Sequence, residues 1–150
     1  MKIYAVEERT NALLDQLTRV WEQSVKATHL FLSAAEIAEI KPYLPKVLLE
    51  IPGLIIAENE DGFPVGFMGI ENRKLEMLFI SPAERGKGIG TEAIKFVASY
   101  FKDWKQFTLI TPIDKKENIK FYTEKCGFKI ISTEMDGNVK VVRFILEKEN

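Results

Sequence analysis

The sequence predicts an α/β fold, in which a mixed, mostly antiparallel twisted sheet is flanked by helices. Three observations carry this. The first third has apolar residues at helical spacing, short alternating strands with tight turns follow, and two further helical segments interrupt the strands. Helices first, then a mostly antiparallel sheet interrupted by two helices, indicate a mixed sheet layered with helices.

Lys2 to Val6 alternates apolar and polar and reads as a strand. From about Asn11 to Ser24 the residues Leu13, Leu14, Leu17, Val20, Trp21 and Val25 recur at helical spacing. A second helix starts at Ser33, because Ser33-Ala34-Ala35-Glu36 has the capping-box pattern. It breaks near Lys41-Pro42, since proline disfavours helical geometry in the residue before it. Strands are expected over Leu54–Glu58, Pro64–Glu71 and Leu75–Ile80, turned at Asp61-Gly62 and Asn72-Arg73. Ser81-Pro82 stops the third. A helix from about Gly88 to Phe101, a strand over Phe107–Thr111 and a short helix over Glu117–Lys125 follow, the last closed by Gly127. Phe128–Thr133 and Val139–Leu146 complete a hairpin turned at Asp136-Gly137-Asn138.

A length of 150 residues without repeats or linkers fits one domain over 1–150. The formal net charge of -1 gives no global field for nucleic acid. A single cysteine, Cys126, excludes an internal disulfide and a cysteine-based metal cluster, and no metal is expected. There is no signal-peptide pattern and no apolar run of membrane-spanning length, so a cytoplasmic, reducing location is expected.

The segment that carries chemistry is Leu75-Glu-Met-Leu-Phe-Ile80, then a short loop, then Arg85-Gly-Lys-Gly-Ile-Gly90 opening a helix. Three glycines within five residues at a helix start are costly unless the backbone needs them. An anion supplies that need: bare N–H groups converge on it, and the helix adds roughly half a positive charge there. Arg85 and Lys87 add charge at the rim. A P-loop would require Ser or Thr where Gly88 stands and glycine where Ser81 stands. A dinucleotide fingerprint would require glycine at Thr91. Both fail on spacing. The plain alternative is a loop that only turns a strand into a helix.

Arg85, Gly88 and Gly90 match [Q/R]-x-x-G-x-[G/A], and Phe121-Tyr122-Thr-Glu-Lys-Cys-Gly127-Phe128 is similar to a second landmark, [L/F]-Y-x-K-x-G-F with small variations. With both in this order the chain resembles the GCN5-related N-acetyltransferase (GNAT) family over roughly its second half. The resemblance implies a GNAT-type sheet with a splayed strand pair at the cofactor site, and acetyl-coenzyme A as co-substrate. Backbone amides of Arg85, Gly86, Lys87, Gly88, Ile89 and Gly90, with Thr91 beginning the helix, would hold the pyrophosphate. Leu78, Phe79 and Ile80 would lie along the pantetheine arm through main-chain atoms, while Phe107–Thr111 splays away, a break that Pro112 suits. Tyr122 matches the tyrosine that protonates the departing thiolate. Where the family often has asparagine, this chain has Lys115. Asn118, one turn later on the face of Tyr122, substitutes for it, or Lys115 contacts a phosphate.

The acceptor amine must be neutral to attack. A lysine-like amine of pKa about 10.4 is neutral in roughly one molecule per thousand, about 4 kcal/mol uphill, against about 1 kcal/mol for an α-amine. A base therefore matters most for the first class. Glu76 is the expected base. Alternation on its strand would place it opposite Leu75 and Met77, on the face of Lys74 and Leu78. The bland reading is a solvated strand carboxylate. His29 has a suitable intrinsic pKa and, with Trp21 and Phe31, falls in the helical half where the family builds its acceptor pocket. Each of the three has a packing role as its alternative. Cys126 has no nearby histidine in sequence, so a small buried hydrophobe is expected and direct attack in a ternary complex is preferred. The expected acceptor is a small amine or amino acid, with the protein a monomer or homodimer. The rivals are acetylation of a protein N-terminus or lysine, and a non-catalytic acyl-coenzyme A sensor.

Overall fold

The computed structural model describes residues 1–28, 32–101 and 103–147. Seven strands, β1 (Lys2–Ala5), β2 (Gly53–Glu58), β3 (Pro64–Glu71), β4 (Lys74–Ile80), β5 (Gln106–Pro112), β6 (Lys129–Asp136) and β7 (Val139–Glu147), form one sheet in the order β1-β2-β3-β4-β5-β7-β6. Every pairing is antiparallel except β4 with β5. The helices are α1 (Asn11–Thr28), α2 (Ala34–Ile40), α3 (Leu44–Glu50), α4 (Ile89–Tyr100) and α5 (Lys116–Lys120). The chain thus has the mixed, mostly antiparallel sheet with flanking helices that its sequence predicts.

Local chemistry accounts for the boundaries. Ser33 caps α2 in a complete capping box with Glu36. A 3₁₀ turn over Lys41–Tyr43 separates α2 from α3, with proline in its first turn. The Arg9 guanidinium then donates to the carbonyls of Leu48 at 2.9 Å and Leu49 at 3.1 Å, satisfying groups that the end of α3 leaves open. Asn72 and Arg73 both have positive φ, 50° and 63°, which suits the two-residue turn joining β3 to β4.

Two cores form on the two faces of the sheet. Leu14, Leu17, Val20 and Trp21 of α1 pack with Leu44 and Leu48 of α3 against Leu54, Ile56 and Phe67. On the other face, Ala93, Ile94 and Val97 of α4 pack with Leu109, Tyr122, Phe128 and Phe144. Between them the sheet forks. β4 and β5 share one register pair, Lys74 with Thr108, closed by the Thr108 N–H bonded to the Arg73 carbonyl at 3.1 Å. Beyond that point the two strands carry no further pairing as they run toward Ile80 and Pro112. The splay expected of this strand pair is present.

One sequence expectation fails. Gly69 pairs with Met77 and Ile70 with Leu75, which leaves Glu76 as an extra residue, a β-bulge. A bulge breaks the two-residue alternation. Leu75 and Leu78 therefore face α4, whereas Met77 and Phe79 face the helical cluster of α1 to α3. Leu75 and Met77 do not share a face, and Glu76 does not share that of Leu78.

Candidate active site

The loop from β4 to α4 begins with a short 3₁₀ turn over Pro82–Glu84. Gly86 and Gly88 both have φ of +80°, a left-handed geometry that side chains disfavour. A Cβ at either would meet no atom within 4 Å, so their bare sides face open space. Gly90 differs: a Cβ there would come within 2.8 Å of Phe121 Cζ and 3.3 Å of Ile80 Cδ1. Its role is close packing of the first turn of α4, a demand the sequence does not separate from the other two.

Gly88 caps α4 without any side-chain hydrogen bond, and the first intrahelical bond runs from the Glu92 N–H to the Gly88 carbonyl at 3.0 Å. The N–H groups of Ile89, Gly90 and Thr91 precede it and point out of the helix end. A 12-residue helix with three bare donors at its positive end suits an anion. Lys87 is paired with Glu84 at 3.0 Å, so its charge is largely neutralised. Arg85 instead donates to neutral groups of Ser24, the hydroxyl at 3.0 Å and the carbonyl at 3.4 Å, so its charge remains. This contact ties the loop to α1. On the β5 side, Lys115 stands just before α5. Partial burial lowers its ammonium below the ordinary lysine range, the positive charge of Arg85 lowers it further, and Glu117 opposes both. Two cations from opposite walls thus approach one another at the mouth of the fork.

Asn118 Nδ2 donates to Thr111 Oγ1 at 3.4 Å, which holds α5 to the end of β5. Beyond it the helix widens into a π turn over Phe121–Lys125, closed by the Cys126 N–H on the Phe121 carbonyl at 3.2 Å. Tyr122 is buried there, its ring 5.7 Å from both Phe128 and Phe144. Burial raises its phenol well above the usual range, so it stays protonated at neutral pH. Burial also raises the half-buried Cys126 thiol to about 11, which fits a hydrophobe better than a nucleophile.

Glu76 is exposed and pairs with Lys74, its Oε1 3.6 Å from the ammonium. Trp21, with 4% of its surface exposed, packs inside the helical core and offers an acceptor almost no face. His29 and Phe31 lie outside the described residues. Two apolar gaps between α4 and the sheet, one lined by Ile55, Leu78 and Ala93 and one by Leu75, Val97 and Phe128, have no polar wall and are packing gaps. Among the described residues no cluster of acidic, histidine or cysteine side chains could hold a metal ion.

A sheet forked between β4 and β5, three bare N–H donors at the start of α4 and a buried phenol on the element after β5 are the parts from which the site is built. A profile of the Acetyltransferase (GNAT) family matches residues 12–128. The Peptidyl-lysine N-acetyltransferase YjaB of Escherichia coli (strain K12) is 35% identical over 118 residues, 77% of this chain and 76% of its own. The solution structure of apo-form YjaB from Escherichia coli superposes with a TM-score of 0.77 at 28% identity, over 97% of both chains. The PaiA N-acetyltransferase from Thermoplasma acidophilum, in complex with coenzyme A, has the same fold, with a TM-score of 0.75 at 20% identity over 95% of this chain and 98% of its own. This chain belongs to the GNAT family and is an acetyltransferase.

Proposed function

We propose that this chain transfers the acetyl group of acetyl-coenzyme A to a primary amine by direct attack in a ternary complex. The observation that carries it is the single β4–β5 pair opening beside the uncapped start of α4. When bound, acetyl-coenzyme A supplies the acetyl group as an activated thioester. The chain's residues do the rest. The amides of Gly86 to Gly90 and Thr91 take the pyrophosphate, whereas the Arg85 N–H, expected from the sequence to join them, is already bonded to the Pro82 carbonyl at 3.3 Å; the Arg85 and Lys115 side chains add charge from the two walls. Leu78, Phe79 and Ile80 offer the unpaired edge of β4 to the pantetheine amides. Glu76 accepts a proton from the acceptor ammonium, directly or through water, and Tyr122 protonates the leaving thiolate. Asn118 steadies the β5 wall through Thr111 and reaches the cofactor from there.

For the acceptor we favour a lysine ε-amine, because the similar relatives of Escherichia coli and Salmonella typhimurium bear the name peptidyl-lysine N-acetyltransferase. The second reading is the free small amine or amino acid that the sequence suggests. It is favoured by α1 to α3, which pack over the β2–β4 part of the sheet face opposite α4. Thiol release measured over lysine peptides, free amines and amino acids decides between them. Glu76→Gln is expected to lower kcat/KM for lysine-like amines by about a hundredfold, and less for α-amines. An equal loss for both classes removes Glu76 as the base.

A further inference from the structure

On the sheet face away from α4, four charged side chains meet beside the fork. Val142 and Phe144 point into the core under α4, so Arg143 between them points to the opposite face. Arg143 grips Glu134 with Nε at 3.1 and 3.0 Å from the two carboxylate oxygens and Nη2 at 2.6 Å from Oε1. The Ser132 hydroxyl donates to the same carboxylate at 3.1 Å. Lys74 and Glu76 form the second pair, at 3.6 Å. The pairs feel one another, Arg143 through Glu76 and Glu134 through Lys74.

Register fixes their level. Arg143 is opposite Ile110, two residues past Thr108, where β4 and β5 make their one pair. Glu76 is two residues past Lys74, the partner of Thr108. Both stand just inside the opening. The helical cluster on this face takes its sheet residues from β1 to β4, and Thr108, Ile110, Ser132, Glu134 and Arg143 stay partly exposed. The shelf beyond the fork is therefore accessible, and its charges are held rigidly by a two-pronged pair.

We propose that the Arg143–Glu134 pair is a specificity-determining element that sorts acceptors by the charge beside their reacting amine. The inference rests on the acetyl-transfer reading and deepens it. An amine that reaches the fork carries its neighbouring groups over this shelf. Arg143 and Lys74 attract an acidic neighbour and repel a basic one, while their partners Glu134 and Glu76 act the other way. The two partners of one ion pair thus act on selectivity with opposite signs, which a purely structural pair does not.

The test uses two blocked peptides, a lysine flanked by aspartates and a lysine flanked by arginines, and reads the ratio of their kcat/KM values. Arg143→Gln is expected to lower the acidic-to-basic ratio, and Glu134→Gln to raise it, each between about threefold and thirtyfold. Both shifts fade in 1 M salt, where screening acts over about 3 Å. Arg143→Lys, which keeps the charge and loses the fork, should hold the ratio near the unmodified protein's. Variants that lower both rates together, leaving the ratio and its salt dependence unchanged, overturn the inference, as does a changed ratio in Arg143→Lys. Absence of turnover on every amine, with coenzyme A still bound, overturns the acetyl-transfer reading instead.

Discussion

Cys126 closes the π turn that holds Tyr122, and burial keeps both groups neutral. A thiol raised to about 11 is ionised in roughly one molecule per thousand at pH 8, against about a quarter of a free thiol. Alkylation of Cys126 in the folded protein at pH 8 is therefore expected to be slowed by about a hundredfold relative to the unfolded chain, read by mass spectrometry. Cys126→Ala should retain turnover. The same burial keeps the Tyr122 phenol neutral, the state a proton donor must start from. Tyr122→Phe is expected to lower kcat by about tenfold to a hundredfold with little change in coenzyme A affinity. An unchanged kcat removes its role as the acid. Both residues were visible in the sequence as part of one motif that includes Phe128, but Phe144, which also packs on Tyr122, is brought there only by the folded chain.

At the scale of elements, the start of α4 shows how three similar glycines divide their work. Gly88→Val puts a side chain into the open space over the bare helix end, where no protein atom lies within 4 Å. Coenzyme A affinity measured by calorimetry is expected to fall by at least tenfold, and the melting temperature to fall as well, because a side chain at φ of +80° costs about 1–2 kcal/mol or more. Gly90→Ala differs in kind. Alanine gains about 1 kcal/mol of helix propensity but overpacks against Phe121 at 2.8 Å, a strain of about 1–3 kcal/mol. The net result is a lower melting temperature, recovered when Phe121→Leu makes room. The motif spacing of Arg85, Gly88 and Gly90 was legible in the chain because local geometry demands those residue types. The division between open space at Gly86 and Gly88 and close packing at Gly90 was not, since Phe121 is remote in sequence. The bulge at Glu76 was hidden for a similar reason: nothing in Leu75-Glu-Met-Leu announces it, and the strand opposite sets the register.

For the whole molecule, the two buried or bonded tyrosines link stability to pH. Burial raises the Tyr4 phenol to about 12, and its hydrogen bond to Glu58 adds to the shift, while burial raises Tyr122 further. Both folded-state values lie above the unfolded value of about 10, so between these limits the native state holds more protons than the unfolded one. The stabilisation is complete below pH 10 and is lost as pH rises through the folded values. Urea denaturation is expected to show stability falling from about pH 10 upward, with a shallower decline in Tyr4→Phe. An identical slope in that variant would show that Tyr4 ionises freely in the fold.

What the sequence determined by itself is whatever depends on neighbours a few residues apart. That covers the strands and helices, the capping box at Ser33, the turn at Asn72-Arg73 and the glycine-rich helix start, because backbone preference and apolar period act over one or two turns. Tertiary structure decided what depends on strands meeting across the sheet. The fork at Lys74 and Thr108, the bulge that turns Glu76, the burial of Trp21 and the meeting of Arg143 with Glu134 at the fork all follow from pairing register and two-sided packing. Those are long-range contacts, and no local pattern encodes which distant residue will lie opposite.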